Sequence, residues 1–343
     1  MKREEIKKWF VEHGKLYSVS LESTQHCNFQ CKHCYCSEKT ESVMPFENWR
    51  VIIDKIFDTG CLFLSFTGGE ILTHKDFKKI YSYAKQKGFI IDLLTNGSLI
   101  DKDWILLFKE LPPRNISITI YGTNAEEYKN FTGTGNNFHK VINSLTLLKD
   151  NGISFSLRTL ATKTFFNSLR SGNFEKIAAK YNTAFRYDPI IFPKTSGDCS
   201  PLKECLSINQ IMDLEKNNES RSLAWKEIIK SPPSFKWKCK AGINSFSIDY
   251  KGDAFVCGLY RKNPISILEN DIETVRKHLT AIHEEHVRII NNNECAMCEM
   301  RYICKWCPAY SNIYNNGNEI TKIPFFCDLS KARLDSFKIK DNK

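Results

Sequence analysis

Short apolar runs rich in β-branched residues alternate with amphipathic helical segments through the first half of this 343-residue chain. The clearest helical segment is 138–149, in which apolar residues recur at i, i+3, i+4 and i+7 and Asn151-Gly152 follows as a stop signal. Six further runs have the composition of β-strands: 19–23, 63–67, 90–94, 115–120, 154–159 and 184–187.

Strands that alternate with helices favour parallel βαβ units joined by right-handed crossovers. Six units fall short of the eight that close a full barrel, so we predict an α/β fold with a partial (β/α)6 TIM-like barrel. In such folds the catalytic and ligand-binding residues lie at the carboxyl ends of the strands. Residues that directly follow the predicted strands are therefore the candidates for a functional site.

Three cysteines follow the first predicted strand, at spacings of four and three residues: Cys27, Cys31 and Cys34. Three thiolates can hold three corners of an iron–sulfur cluster, which normally takes four. The iron without a protein ligand would be open to a reactant. Taken alone, the motif also fits a zinc knuckle or a set of buried thiols. Cys36 follows too closely to reach the fourth corner easily.

Small and polar residues end the other predicted strands. Gly68-Gly69-Glu70 follows the second strand, where the glycines permit a close backbone approach and we expect the Glu70 carboxylate at the mouth of the site. Asn96, Thr119 and Arg158 end the next three strands. Together these groups suit a polar ligand that lies across the sheet.

Composition narrows the class of protein. The formal charge is +10, but the lysines are scattered and no nucleic-acid-binding module is evident, so a nucleic-acid partner is not expected. No run of eighteen apolar residues predicts a membrane span, and the charged N-terminus does not resemble a secretory signal, so we expect a cytoplasmic protein. Fourteen cysteines in a reducing compartment indicate metal binding or catalysis rather than disulfides.

Seven of these cysteines lie in the last third of the chain: Cys239, Cys257, Cys295, Cys298, Cys304, Cys307 and Cys327. A turn at 250–253 predicts a hairpin beside them. A zinc ribbon is the rival interpretation, but its paired knuckles stand some fifteen to twenty residues apart, whereas five residues separate Cys298 from Cys304. Seven thiols also do not divide into complete four-ligand zinc sites.

The N-terminal two-thirds resembles the radical S-adenosylmethionine (radical SAM) enzymes. The resemblance implies that Cys27, Cys31 and Cys34 hold a 4Fe–4S cluster and that S-adenosylmethionine chelates its open iron. Reductive cleavage of that cofactor would give a 5′-deoxyadenosyl radical, which abstracts hydrogen from a substrate. The reaction needs a strong reductant such as a flavodoxin or ferredoxin.

The same resemblance implies roles for the strand-end residues. Gly68, Gly69 and Glu70 would hold the methionine amino group, and His33 would lie near the adenine. Further candidates for the cofactor are Asn96, Thr119 and Arg158. Relatives often have Ser-Leu-Asp-Gly where this chain has Thr119-Ile120-Tyr121-Gly122. Tyr121 cannot replace that acid as an anion near pH 7, because its reference pKa is about 10.

The last third resembles the SPASM extension of radical SAM enzymes that modify peptides. This resemblance implies two auxiliary iron–sulfur clusters, one of them on Cys295, Cys298, Cys304 and Cys327. The other would rest on Cys239, Cys257 and Cys307. Its fourth position is completed by a non-cysteine ligand or left open to a substrate atom.

The resemblance makes a ribosomally made peptide the first hypothesis for the substrate, with cross-linking, thioether formation or epimerisation as the reaction. The alternatives are oxidation or decarboxylation of a small molecule such as a tetrapyrrole, and sulfatase-type maturation. A non-catalytic electron carrier is disfavoured, because it has no need of the Gly68-Gly69-Glu70 motif. About fourteen residues precede the first strand, so we expect a peptide to dock on the barrel or to need a separate leader-binding protein.

We predict five segments: an N-terminal segment (1–14), the barrel (15–200), a helical linker (201–234), the cysteine-rich domain (235–330) and a tail (331–343). The remaining cysteines have no assigned ligand role: Cys36, Cys61, Cys199 and Cys205. Cys61 is expected in the core. Cys199 and Cys205 follow the last barrel strand, where one thiol would be placed to donate hydrogen to a substrate radical unless both are inert loop cysteines.

Overall fold

A single nine-stranded sheet runs through the protein, in the order β6-β5-β4-β3-β2-β1-β7-β8-β9. The computed structural model describes residues 3–36, 40, 42–134, 137–230 and 239–338. The strands are β1 (Ser18–Thr24), β2 (Phe63–Gly68), β3 (Ile90–Thr95), β4 (Asn115–Thr119), β5 (Phe155–Leu160), β6 (Phe185–Asp188), β7 (Ser245–Ile248), β8 (Asp253–Phe255) and β9 (Ile265–Ser266).

The first six strands are parallel and follow one another across the sheet. Each lies within one residue of its predicted bounds. The helices among and before them are α1 (Arg3–Glu12), α2 (Phe46–Asp58), α3 (Phe77–Gln86), α4 (Lys102–Glu110), α5 (Ala125–Thr132), α6 (Asn137–Asp150), α7 (Phe166–Arg170) and α8 (Asn173–Lys180). The prediction of an α/β fold with a six-stranded partial barrel is confirmed.

The core lies between the sheet and these helices, because each helix turns one apolar face inward. In α2 that face is Trp49, Ile52, Ile53 and Ile56, all fully buried. The strands contribute alternate apolar residues, such as Val19 and Leu21 of β1. Burial on this side fixes the strand register, and with it the positions of the loops at the carboxyl ends.

The C-terminal third continues the barrel sheet. Strand β7 pairs parallel with β1, and β8 and β9 then add antiparallel strands, which confirms the hairpin expected around 250–253. The helices of this part are α11 (Ile272–Asn292), α12 (Pro308–Tyr314) and α13 (Pro324–Phe337). The sheet therefore crosses the boundary predicted at residue 235.

The linker predicted to be helical contains two helices, α9 (Ile208–Asn217) and α10 (Glu219–Lys230). Pro232-Pro233 lies outside the described residues. Helix α13 packs on this pair through Arg333, whose Nη2 and Nε donate to the buried Glu215 carboxylate at 2.6 and 3.0 Å. Among the described helices, none is long and apolar enough to cross a membrane.

Candidate active site

A cavity of about 890 Å³ opens at the carboxyl ends of β1–β6. It is lined by residues that follow the strands, together with residues of the C-terminal third. Most of the residues predicted from the barrel sequence lie on its wall: Cys27, Cys31, His33, Cys34, Gly68, Gly69, Asn96, Thr119 and Arg158. The residues expected at the strand ends thus lie together around one cavity.

The loop carrying Cys27, Cys31 and Cys34 is braced by backbone hydrogen bonds to the end of α5. The Gln30 amide donates to Thr132 O at 2.7 Å, and the Lys32 amide donates to Phe131 O at 3.1 Å. The side chain of Asn28 adds a second attachment, because its Nδ2 donates to Ser98 Oγ at 2.9 Å. All three thiols interact electrostatically with the buried Tyr121 hydroxyl. The three sulfur atoms therefore share one neighbourhood at the cavity wall.

Gly68 and Gly69 hold the loop after β2 against the strand that leads into the cysteine loop. A Cβ on Gly68 would stand 2.2 Å from Thr24 O, and one on Gly69 would stand 2.2 Å from His26 O. The Gly69 amide donates to Thr24 O at 2.7 Å, and the Glu70 amide donates to His26 O at 2.8 Å. Side chains are excluded here because the two backbones are in direct contact.

Glu70 does not stand at the cavity mouth, which corrects that expectation. Its side chain is fully buried behind the wall. The carboxylate accepts hydrogen bonds from Thr95 Oγ1 at 2.6 Å, the Asn96 amide at 2.6 Å and the Leu72 amide at 3.2 Å. Burial raises the pKa of Glu70, and these three donors oppose the rise. The carboxylate thus ties the loops after β2 and β3 together.

Aromatic and polar groups surround the remaining predicted residues. His33 lies edge-on to Tyr121 with ring centroids 5.5 Å apart, and its buried Nδ1 has no hydrogen-bond partner among the described residues. Burial raises the pKa of Tyr121 well above its usual value, so this residue is neutral, as expected. Arg158 Nε donates to Thr119 Oγ1 at 3.1 Å, and Asn96 Nδ2 donates to Asn28 Oδ1 at 2.9 Å.

A second group of cysteines faces the same cavity: Cys239, Cys257 and Cys307. The Cys307 thiol interacts electrostatically with both other thiols, and Cys257 interacts with Cys239. Burial raises the pKa of Cys257 and of Cys307. Three cysteines from distant parts of the last third are therefore brought to one cavity, which the barrel cysteines also line.

The other four C-terminal cysteines surround a separate pocket of about 100 Å³: Cys295, Cys298, Cys304 and Cys327. The Cys295 thiol interacts with the other three, which contribute to raising its pKa to about 11, although burial is the larger cause. Across the described ranges, no three cysteine, histidine or acidic side chains converge closely enough to hold one metal ion. These cysteines instead line the walls of larger spaces.

The remaining cysteines lie in three different settings. Cys36 lines the large cavity, where a hydrogen bond with Cys34 and burial raise its pKa. Cys61 is buried just before β2, in the core as expected. Cys199 is exposed and Cys205 is half-buried, and neither lines the cavity.

Several residues of the cavity region were not predicted from the sequence. Glu22 at the end of β1 is buried and ion-paired with Arg261, and Gln25 Nε2 also donates to it at 3.2 Å. His283 of α11 lines the same cavity, and its Nδ1 lies 2.8 Å from the carbonyl oxygen of Ala241, two residues after Cys239. Two cations, Arg186 and Lys305, line the cavity without a hydrogen bond or ion pair to another described residue. Arg186 could have been proposed from the sequence, because its i, i+2 spacing from Asp188 places both side chains on the same face of β6.

Comparison with known proteins places the barrel in a family. The model of the radical SAM superfamily matches residues 21–164. The subtilosin biosynthesis protein AlbA of Bacillus subtilis is 27% identical over 253 residues, which cover 71% of this chain and 55% of AlbA. This chain thus spans about half the length of AlbA. An AdoMet-dependent heme synthase of Methanosarcina barkeri is 22% identical over 85% of this chain and 90% of that protein.

Solved structures share the fold over nearly the whole chain. The Streptococcus suis SuiB structure with its precursor peptide SuiA has a TM-score of 0.72 at 14% identity, covering 94% of this chain and 79% of SuiB. The anSMEcpe structure with bound AdoMet and the Cp18Cys peptide has a TM-score of 0.68 at 18% identity, covering 93% of this chain and 96% of that chain. From the cysteine loop, the strand-end cavity and these matches together, we conclude that the chain carries a radical SAM domain and is homologous to AlbA.

Proposed function

We propose that the protein is a radical SAM enzyme that modifies a peptide with the help of two auxiliary iron–sulfur clusters. One observation carries the proposal: cysteines from the barrel loop and from the last third line a single cavity that also contains the Gly68-Gly69 backbone. A protein that only carries electrons does not need a substrate-sized cavity lined by two sets of cysteines.

The barrel residues fit a cluster with one open iron. Cys27, Cys31 and Cys34 would hold it, because their loop is fixed by α5 and no other cysteine of the cavity wall except Cys36 lies beside them. When bound, the reduced cluster and S-adenosylmethionine would supply a 5′-deoxyadenosyl radical that takes hydrogen from the substrate. The protein would position the cofactor and exclude water from it.

The cofactor-binding residues would act in two ways. The backbone at Gly68-Gly69, His33, Asn96, Thr119 and Arg158 lines the cavity and would contact S-adenosylmethionine directly. Arg158 suits the cofactor carboxylate, because only its Nε is used by Thr119. Glu70 would act by fixing the loops on either side.

The C-terminal cysteines would hold the auxiliary clusters. Cys295, Cys298, Cys304 and Cys327 surround one pocket and supply the four thiolates that a cluster normally takes. Cys239, Cys257 and Cys307 would hold the other. We also propose the sequence-derived segments 1–14, 15–200, 201–234, 235–330 and 331–343 as units of function, although the sheet joins the second and the fourth.

A peptide substrate is supported by the relatives. AlbA is a bacteriocin biosynthesis protein by name, and the fold is shared with SuiB bound to a precursor peptide and with anSMEcpe bound to a peptide. In this proposal the peptide enters the same cavity. A separate leader-binding protein and a flavodoxin or ferredoxin reductant are the further partners we propose.

Tetrapyrrole chemistry is the second candidate, favoured by the heme synthase matches over 85% of this chain. Cationic side chains outnumber carboxylates on the cavity wall, with Arg158, Arg186, Arg221 and Lys305 against Asp188. An excess of positive charge fits the carboxylates of a tetrapyrrole or of an acidic peptide equally well. Charge alone therefore does not separate the two.

Anaerobic reconstitution followed by reduction in the presence of S-adenosylmethionine tests the chemistry. We expect 5′-deoxyadenosine from the wild-type protein and none from Cys34→Ala, with Cys61→Ala as the matched control that retains activity. No product from a fully loaded wild-type protein would refute the enzyme class. Mass spectrometry after co-expression with a short peptide encoded beside the gene, set against incubation with an iron-containing tetrapyrrole, then separates the two substrates.

A further inference from the structure

We infer that His283 of α11 is the non-cysteine ligand of the auxiliary cluster at Cys239, Cys257 and Cys307, and that it coordinates iron through Nε2. The inference rests on the proposed function, because it requires a cluster at these three cysteines. It fills the one position for which the last third of the chain has no obvious cysteine.

His283 lines the same cavity as the three cysteines. All four residues line the large cavity, and His283 is only 5% exposed. Its helix is pressed against the segment that follows Cys239, because a Cβ on Gly242 would stand 2.5 Å from Leu279 O and 3.1 Å from the His283 Cβ. Only glycine allows this approach, and it brings the imidazole next to the loop of the first cysteine.

The hydrogen bond of the imidazole fixes which nitrogen is available. His283 Nδ1 lies 2.8 Å from Ala241 O, and a carbonyl oxygen only accepts, so Nδ1 carries the proton. Nε2 is then an unprotonated acceptor, to which no described residue donates a hydrogen bond. Histidines that bind metals usually donate their other ring N–H to a carboxylate or a backbone carbonyl in this way.

A second histidine of α11 provides a matched comparison. His286 lies three residues further on, is also 5% exposed and also lines the cavity. Its ring packs edge-to-face on Tyr260 with centroids 4.6 Å apart. Its Nε2 is buried without a partner among the described residues, but no backbone carbonyl orients the ring as Ala241 orients His283. We therefore assign His286 to packing and His283 to the cluster.

Histidine ligation has a chemical consequence that thiolate ligation lacks. Replacing cysteine by histidine on an iron–sulfur cluster removes negative charge and raises the reduction potential, as Rieske centres show. The cluster at Cys239, Cys257 and Cys307 would therefore be reduced more easily than the one held by four cysteines. It would also have no open iron to bind a substrate atom.

Magnetic resonance tests this directly. The full-length protein with Cys27→Ala, Cys31→Ala and Cys34→Ala is labelled with ¹⁵N-histidine, reconstituted and reduced; these substitutions remove the cluster nearest His33. We expect a strong hyperfine coupling from one histidine nitrogen, lost in His283→Ala and retained in His286→Ala. In His283→Cys we expect the cluster to persist without the coupling and at a lower reduction potential.

The outcomes separate the two claims. A cluster that shows no histidine coupling in the Cys27/Cys31/Cys34 triple-alanine protein, or whose coupling is lost only in His286→Ala, overturns the assignment of His283 and leaves the cluster standing. Iron content that does not fall in Cys257→Ala overturns the cluster itself, and the histidine ligand with it. The labelled triple-alanine protein gives its answer without any substitution in α11, so misfolding of an α11 variant does not hide the result.

Discussion

Arg261 donates to the buried carboxylate of Glu22 and so joins the segment after Cys257 to the first barrel strand. The Glu22 side chain is 2% exposed and that of Arg261 is 20% exposed. The guanidinium also lies over the Phe255 ring, 4.8 Å from its centroid. This buried ion pair stands between the two parts of the chain whose cysteines face the cavity.

Removing only the cation is expected to be costly. Arg261→Met leaves an unpaired carboxylate inside the protein, and breaking one side of a buried ion pair typically costs about 3–5 kcal/mol. Chemical denaturation at neutral pH measures the loss. Arg288→Met is the matched control, because Arg288 pairs with Glu285 on the surface with 70% and 51% of the side chains exposed, and such pairs contribute about 0–1 kcal/mol.

The same variant carries a pH signature. Burial raises the pKa of Glu22 and Arg261 opposes the rise, so Arg261→Met raises that pKa further. An acid whose folded-state pKa exceeds its unfolded value adds stability at low pH, which is lost as the pH rises through the folded pKa. The deficit of Arg261→Met should therefore shrink as the pH falls from neutral toward the ordinary range of a carboxyl group. The double variant Glu22→Gln/Arg261→Met should be more stable than Arg261→Met at the higher pH, and a pH-independent deficit would contradict the argument.

Gly69→Ala should disrupt the cysteine loop. The new methyl group would meet His26 O at 2.2 Å, and backbone on both sides leaves it no room. We expect the variant to lose most of the iron bound at Cys27, Cys31 and Cys34, measured as iron per chain in a background with the C-terminal cysteines replaced. Gly60→Ala is the control: its φ of +75° strains an alanine, which the φ of Gly69 does not, but its Cβ would meet nothing within 4 Å.

Cys327→Ala should remove one complete cluster. Its thiol is one of four around the small pocket, and three clusters of four irons predict about twelve irons per chain in the wild-type protein. The variant should bind about eight, while Cys199→Ala, at an exposed thiol away from both cavities, should bind the wild-type amount. Unchanged iron in Cys327→Ala would remove this residue from the ligand set.

Glu70→Gln should weaken binding at the candidate active site, although Glu70 does not line the cavity. The amide places an N–H₂ group where the carboxylate now accepts from Thr95, Leu72 and Asn96, and a buried donor left unpaired costs about 1–3 kcal/mol. We expect a lower melting temperature and weaker binding of S-adenosylmethionine with the iron content unchanged. Binding at wild-type affinity would mean that the loops keep their geometry without the charge.

Local patterns in the sequence were sufficient for much of the fold. The strand bounds follow from short apolar runs and the turns between them, and the cysteine spacing places three thiols in one loop. Because parallel strands end at one edge, the residues after β1–β5 were expected together, and they line one cavity.

Contacts between distant residues could not be predicted in this way. Glu22 and Arg261 are 239 positions apart, and nothing near either residue indicates the other. The direction of the Glu70 carboxylate depends on the end of β3 and the first residue after it, Thr95 and Asn96, which supply two of its donors. His283 resembled one more residue on the inner face of an amphipathic helix until the fold placed the carbonyl of Ala241 beside its ring.

The pairing of β7 with β1 means that the barrel cannot be separated from the C-terminal third of the chain. A protein truncated after α10 would expose the hydrogen-bonding edge of β1 from Ser18 to Leu21, and exposed strand edges recruit other chains into aggregates. A soluble minimal domain must therefore retain β7, or carry charge or proline on the edge that β7 covers.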